Sequence, residues 1–308
     1  MDGVVATVNY KVWFENSDTN NPTRVTRLRH NYTEHPLLEL ASLRNLAERL
    51  HKEKTGQVKF LAKGVKLDSD FNTLTENQDN ISIADVFDNI RNPGSWIALY
   101  AVQSDPEYKK LVWDIVNSVD KNWWKKDPGL FFVDGYIFIS SPPSVTPFHI
   151  DRENNFLLQV TGRKKFGVWH PGDHAAVSEQ AKEEWIVKSS LAKVKYREEH
   201  LKHAAVHDVL ESGQGIYMPS TSPHMTYADT DLANSDQPYS ITIGVVFYTA
   251  RTRKTAYIYF TNVLLRKLGF QPGPPGTSPM IDFVKYAIAR VIVPVLKVLR
   301  RYRPPTGF

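Results

Sequence analysis

Residues 145–164 read Val145-Thr146-Pro147-Phe148-His149-Ile150-Asp151-Arg152-Glu153-Asn154-Asn155-Phe156-Leu157-Leu158-Gln159-Val160-Thr161-Gly162-Arg163-Lys164. In an extended strand alternate side chains share a face, so His149 and Asp151 can reach one metal ion from the same side. His224 follows 75 residues later in Met218-Pro219-Ser220-Thr221-Ser222-Pro223-His224. A later strand laying His224 beside the pair would group two imidazoles and one carboxylate on one face of an octahedral ion. On Fe(II) the positions left open are those that take a 2-oxo acid and O₂. The expectation is non-haem iron oxygenase chemistry.

Reading outward from this stretch, Phe132–Ser140 is aromatic and β-branched, as a strand requires, and Pro142-Pro143 breaks it. Val145–Asp151 is the next extended run. Asn155–Val160, the turn Thr161-Gly162-Arg163 and Lys164–Trp169 read together as a hairpin. Gly213–Pro219 and Tyr239–Tyr248 supply two more β runs. A metal pair at a strand end with a histidine beyond another strand is the layout of a small jelly roll enclosing a ligand cavity. The predicted fold is mainly β with flanking helices: a double-stranded β-helix core with an amino-terminal α/β cover and carboxy-terminal helices.

The stretch 145–164 resembles the JmjC-type, cupin-like Fe(II)/2-oxoglutarate-dependent oxygenases, and is most similar to the asparaginyl-hydroxylase-like branch and its bacterial cupin-like members. The resemblance extends over roughly residues 90 to 250, with several positions in register. It implies that His149, Asp151 and His224 hold the iron. It also implies that Lys164 pairs with the distal carboxylate of 2-oxoglutarate, helped by the Thr146 hydroxyl, with Asn155 beside the co-substrate. The family's tyrosine contact falls on Tyr136, with Tyr100 as the alternative. A dicarboxylate in a barrel interior needs such a cation and hydroxyl, or its desolvation goes uncompensated. Lys164 and Lys165 project to opposite faces of a strand, and Lys164 is taken as the inward one. Two departures stand out: Gly213-Gln214 occupies the place of the usual Gly-Asp, and Ile241–Tyr248 lacks the asparagine that some relatives carry there.

The implied activity is oxidative decarboxylation of 2-oxoglutarate to succinate and CO₂, coupled to hydroxylation of a C–H bond. Protein side chains, amino acids and small metabolites are all candidate substrates, and hydroxylation is not separable by motif from demethylation. The alternative is a cupin-like binding or regulatory protein without turnover. A metal-dependent cupin that uses no 2-oxo acid would carry more histidines and a glutamate in the first motif.

The 308 residues divide into an expected cover over 1–90, the jelly roll over 91–250 and a basic helical region over 251–308. With 42% hydrophobic and 23% charged residues the usage is that of a globular chain. No cysteine is present, which excludes disulfides, thiolate-bound zinc and cysteine nucleophiles, and a cytoplasmic setting is compatible. Met1-Asp2-Gly3-Val4-Val5 runs into polar Asn9, Lys11 and Glu15, so no secretory leader is expected. Leu40, Leu43, Leu46, Ala47 and Leu50 keep the spacing of a buried helical stripe, with His35 before Pro36 at its start, and residues 82–90 read as a second short helix. Trp123-Trp124 are expected to pack against the barrel rather than to bind nucleic acid.

Pro171–Leu210 is polar and reads as one or two helices at the barrel mouth. His200, His203 and His207 recur at helical spacing, which could bind a metal, but Glu199 and Lys202 argue for a solvated face. Residues 251–308 hold eleven Lys and Arg against Asp282 alone, a net +10, while the rest of the chain nets −5. After a Pro272–Gly276 linker, residues 281–301 form an expected helix interrupted near Pro294. Val284, Ile288, Val291, Val295 and Leu299 lie on one face, and Lys285, Arg290, Lys297 and Arg301 on another. Such a helix suits docking on its own domain, a homodimer, or an anionic membrane surface. Nucleic acid is not favoured as a partner, and the expected substrate is a small molecule or a peptide.

Overall fold

The computed structural model describes residues 8–16, 21–60, 66–69, 82–228 and 238–308. The leader expectation for residues 1–5 falls outside them. The first half supplies β1 (Val12–Phe14), β2 (Thr26–His30), α1 (Leu40–Glu53), β3 (Gln57–Phe60), α2 (Ile83–Asp88) and β4 (Trp96–Tyr100). Two further helices follow, α3 (Pro106–Ser118) and α4 (Lys121–Lys126). The barrel strands are β5 (Phe131–Ser140), β6 (Ser144–His149), β7 (Asn154–Thr161) and β8 (Lys164–Val168). After α5 (Glu179–Lys188) come β9 (Val206–Leu210), β10 (Gln214–Met218), β11 (His224–Ala228) and β12 (Ser240–Tyr248). The chain closes with α6 (Ala250–Lys267) and α7 (Pro279–Val298).

Two antiparallel sheets face each other. The larger runs β1-β2-β10-β7-β12-β5-β4-β3 and the smaller β6-β11-β8-β9. Alternation along the central strands separates two compartments. Phe156, Leu158 and Val160 of β7 and Ile241, Ile243, Val245 and Phe247 of β12 face the core shared with α1 and α3. Asn155, Leu157 and Thr242 face the opposite way, into the space between the sheets. A sheet buried on both faces therefore carries a hydrophobic row on one side and chemistry on the other.

The reading of residues 155–169 as a hairpin is corrected. β7 pairs with β10 and β12, whereas β8 pairs with β11 and β9, so the consecutive strands belong to different sheets. Gly162, at φ +67, turns the chain across; a Cβ there would stand 2.5 Å from the Tyr239 carbonyl oxygen. Every residue of β7 up to Val160 is buried, and a strand so placed takes neighbours on both edges from a sheet, not one from a hairpin.

The described part of residues 1–90 is woven into the barrel as well as packing on it. β2 inserts beside β10, with Leu28 opposite Gly215, and β3 closes the other edge on β4. In α1 the stripe Leu43, Leu46, Ala47 and Leu50 is buried. His35 starts a short 3₁₀ turn, its Nδ1 accepting from the Leu37 amide at 3.2 Å. Trp123 is fully buried, edge-on to Tyr217 at 5.0 Å and tilted against Phe156 at 5.3 Å, so the tryptophan pair is a packing feature. Trp123→Ala should cost ~3–5 kcal/mol, read as a lower denaturation midpoint with unchanged m-value; a midpoint within error of wild type would contradict this placement.

The polar segment 171–210 is helical in α5 and in a 3₁₀ turn over Glu198–His203, but ends in a strand, β9, which the sequence reading missed. Only its two ends, Val206 and Leu210, are buried while His207 and Asp208 are exposed, so no clean alternation marked it in the sequence. His200 is buried beneath the Trp169 indole, whose Nε1 donates to the His200 carbonyl at 2.8 Å, so this face is not uniformly solvated. His207 lies on β9 instead, in hydrogen-bond contact with the Tyr227 hydroxyl at 3.0 Å. The three histidines therefore share no helix.

α6 is pinned to the barrel by Arg251, whose Nε and Nη2 donate to the fully buried Asp127 carboxylate at 3.1 and 2.5 Å. Arg266 forks onto Glu183 of α5 in the same manner, at 2.7 and 3.2 Å. α7 continues unbroken through Pro294, contrary to the expected interruption. Ala289, Val293 and Leu296 pack on α6 and α5 on both sides of the proline, and Pro294 itself faces outward, so packing outweighs one lost backbone bond.

Candidate metal centre and cavity

His149 ends β6 and His224 begins β11, and the antiparallel register sets them directly opposite each other. Their ring centroids lie 4.0 Å apart. Asp151, two residues past His149, reaches both: its Oδ1 is 3.9 Å from His149 Nε2 and its Oδ2 is 3.5 Å from His224 Nε2. One ligand atom from each of the three falls within 4.8 Å of the others, and no other such group of three occurs among the described residues.

Both rings are oriented by backbone. His149 Nδ1 donates to the Pro147 carbonyl at 2.7 Å and His224 Nδ1 to the Ser222 carbonyl at 3.0 Å. Each Nδ1–H being engaged, each Nε2 carries the lone pair, and both lone pairs face the carboxylate. That is the second-layer arrangement by which proteins hold metal-binding imidazoles. Burial, and after it the neighbouring His224, pushes the His149 imidazole down to about 3, so it is neutral and available as a donor through the physiological range. The donor set suits a divalent metal that accepts mixed nitrogen and oxygen ligands.

The loop before His224 is held on the metal strand. The Thr221 amide donates to the Asp151 carbonyl at 2.8 Å and the Ser220 amide to Asn154 Oδ1 at 3.0 Å. On the other side of Asp151, the Arg152 guanidinium lies 3.9 Å over the Trp185 ring and donates to the Trp185 carbonyl at 2.6 Å. Glu153 accepts from the Tyr248 hydroxyl at 2.5 Å, and burial, with Asp151 adding to it, pushes its carboxyl up to about 6. Residues 151–153 thereby tie together a metal-site carboxylate, the mouth helix α5 and the end of β12.

A cavity runs inward from the triad between the two sheets, with about 50 Å³ of room for water-sized molecules. Tyr136 and Phe138 line it from β5, Asn155 and Leu157 from β7, and Thr242 from β12. Thr146, Lys164, Phe166 and Thr226 close it from the smaller sheet. The register sets its depth. His224 stands opposite Val168, Thr226 opposite Phe166, and Lys164 is two residues deeper. Lys164 is thus four residues from the level of the triad, about 13 Å along the strand.

Lys164 is the unusual group here. It is 3% exposed, has no hydrogen-bond or ion-pair partner among the described residues, and burial pushes its ammonium down to about 8. Lys165 turns outward instead, its Nζ 5.3 Å from the centre of the Tyr227 ring. A buried cation left alone is costly unless an anion joins it. Asn155 is likewise incomplete: its buried Oδ1 has no partner. Gly244 of β12 makes room for that amide, since a Cβ there would stand 3.1 Å from Oδ1.

All seven side chains singled out in the sequence therefore line one cavity. Tyr100 does not line it; it packs edge-on against Tyr136 at 4.9 Å. The sequence reading missed Thr226 and Thr242, which also line the cavity. Thr242 donates to Gln159 Oε1 at 2.9 Å. Period-2 alternation counted from His224 would have found Thr226.

Among solved structures, the chain is similar to Escherichia coli YcfD at 17% identity, over 93% of this chain and 69% of that one, with a TM-score of 0.49. A second structure of that protein, described as a ribosomal oxygenase in complex with cobalt and 2-oxoglutarate, matches at 17% identity over 92% and 68%, with a TM-score of 0.46. SnoK, described as a non-heme alpha-ketoglutarate-dependent carbocyclase from nogalamycin biosynthesis, matches at 15% identity over 72% and 78%, with a TM-score of 0.42. No curated protein matches the sequence. The sequence profile of the cupin-like domain matches residues 7–249, which takes in the triad, the cavity and both sheets, and the chain belongs to that family.

Proposed function

We propose that the protein is an Fe(II)- and 2-oxoglutarate-dependent dioxygenase that hydroxylates a C–H bond of a protein side chain, an amino acid or a small metabolite, releasing succinate and CO₂. The observation that carries this reading is the pairing, in one cavity, of a His-Asp-His triad with a buried lysine that lacks a counter-charge. A metal-binding module needs the first and has no use for the second. A co-substrate with a metal-chelating 2-oxo acid at one end and a carboxylate at the other needs both.

In this reading His149, Asp151 and His224 hold the metal. Lys164 pairs with the distal carboxylate, with the Thr146 hydroxyl donating to it from β6. Asn155 and Tyr136 flank the chain between the two ends. Bound Fe(II) with 2-oxoglutarate supplies the O₂ activation and the oxidising power for C–H cleavage. The protein's own part is to align the co-substrate and to exclude water through Phe138, Leu157 and Phe166. The co-substrate fills the narrow cavity, so the substrate enters from the Asp151 side, where the carboxylate is 30% exposed. A cytoplasmic setting fits a chain that needs no disulfide.

Succinate formation from 2-oxoglutarate tests the proposal. The protein with added Fe(II) and ascorbate should convert 2-oxoglutarate slowly without substrate and faster with a member of a panel of amino acids, peptides and small metabolites. 2-Oxoglutarate that binds, stabilises the fold and is never consumed would assign the site to the binding or regulatory reading instead.

A further inference from the structure

The carboxy-terminal helix is docked with its polar side inward. Asp282, Lys285, Ala289 and Val293 are its buried positions. Each of the polar two is bonded there, the Gly276 amide donating to Asp282 Oδ2 at 2.6 Å and Lys285 Nζ to the Gly273 carbonyl at 3.0 Å, while the buried Asp282 Oδ1 has no partner among the described residues. Lys285 thus leaves the basic face to which the sequence assigned it. The outward side is apolar. Phe283, Val284, Ile288, Val291, Val295 and Val298 are 41–81% exposed, so the face expected to dock on its own domain does not. At 100° per residue Arg290 and Lys297 run along one flank of that row, and Arg301 follows just beyond the helix end. Arg290 is steadied by its Nη1 donating to the Tyr286 hydroxyl at 2.9 Å.

A water-facing apolar row about 23 Å long marks a docking surface. Charge selects the occupant. The region 251–308 is net +10 and its one acidic residue, Asp282, is turned inward and buried, so this tail shows only cations to solvent. A second copy docked face to face about a two-fold axis would oppose two such rows with no acidic group of the tail to neutralise them. An anionic lipid surface neutralises the flank and takes the apolar row into its interface, the arrangement of an in-plane amphipathic helix. No helix among the described residues is long and apolar enough to cross a membrane, which leaves the surface as the place for α7.

We propose that α7 lies flat on anionic lipid bilayers, its Val291–Val298 row in the headgroup boundary and Arg290, Lys297 and Arg301 on lipid phosphates. The proposal stands independently of the metal site. The full chain should be sedimented with vesicles of phosphatidylcholine alone and of phosphatidylcholine with 30% phosphatidylglycerol. Pelleting is expected with the second and not the first. Val291→Asp with Val298→Asp, both at exposed positions, should abolish it. Arg290→Gln with Lys297→Gln should weaken it about 25-fold, about fivefold per charge, and salt should do the same. Circular dichroism confirms that each variant is folded. Absence of lipid-dependent pelleting, equal pelleting with the neutral vesicles, or wild-type pelleting of the Val291/Val298 variant overturns the proposal. A dimer seen by light scattering that the same variant splits, without pelleting, gives the face to a second copy and overturns it as well.

Discussion

His149→Ala should lose both metal and turnover. The wild-type protein is expected to bind one Fe(II) per chain, and the variant to retain none after desalting. Loss of a group that merely orients a metal ligand typically costs 10–100-fold, so loss of the ligand itself should lower succinate formation by more than about 100-fold. A second readout separates metal loss from unfolding. Fe(II) at about 100 times its Kd should stabilise the wild-type fold by ~2.7 kcal/mol, seen as a raised melting temperature. The variant should melt at the same temperature with and without Fe(II). His149 Nδ1 is held by the Pro147 carbonyl and Nε2 faces Asp151 and His224, which places this ring at the metal position. Full iron content in the variant, or wild-type succinate formation, would sink the assignment.

Lys164→Met should raise the KM for 2-oxoglutarate about 10- to 100-fold, the equivalent of ~1.5–3 kcal/mol for a charge-assisted hydrogen bond, with kcat less affected. The same substitution should leave the ligand-free fold as stable or more so, because it replaces an unpartnered buried ammonium with an apolar chain of similar length. Lys165→Met, on the outward face, should change neither. The pH dependence follows from the direction of the Lys164 shift. Burial lowers its folded value to about 8 from an ordinary 10.5, so the cation that receives the carboxylate is present below about pH 8 and lost above it. Affinity for 2-oxoglutarate should therefore fall about tenfold per pH unit beyond that point. Between about pH 8 and 10.5 the unfolded chain binds a proton that the folded one does not, so the stability of the ligand-free protein should rise with pH across that window. Both dependences should vanish in Lys164→Met. An unchanged KM, or a pH profile shared with the variant, would remove Lys164 from the co-substrate site.

How far the chain could be read depends on whether a feature is local. Alternation along residues 145–151 places His149 and Asp151 on one face whatever surrounds them, and the leucine spacing of residues 40–50 marks the buried side of α1 without reference to its neighbours. Tertiary structure decided what neither period can carry. Alternation says that Lys164 and Lys165 oppose each other but not which faces the cavity; the choice came with the pairing of β8 to β11. The turn at Gly162 reads as a hairpin because a tight turn usually joins paired strands, yet β7 found its partners 60 and 90 residues away in β10 and β12.

Tyr136 and Tyr100 are equivalent as sequence, and only the order β12-β5-β4 in the sheet puts the first in the cavity and the second behind it. The orientation of α7 is the sharpest case. Its composition marks an apolar face, and that face would be expected inward, but the backbone carbonyl of Gly273 and the amide of Gly276 draw Lys285 and Asp282 to the inner side. Periodicity is a property of neighbouring residues, and so the sequence alone determined which side chains travel together. Which surface each set meets is a competition among distant partners for the same strand edges and helix faces, and only the folded chain resolves it.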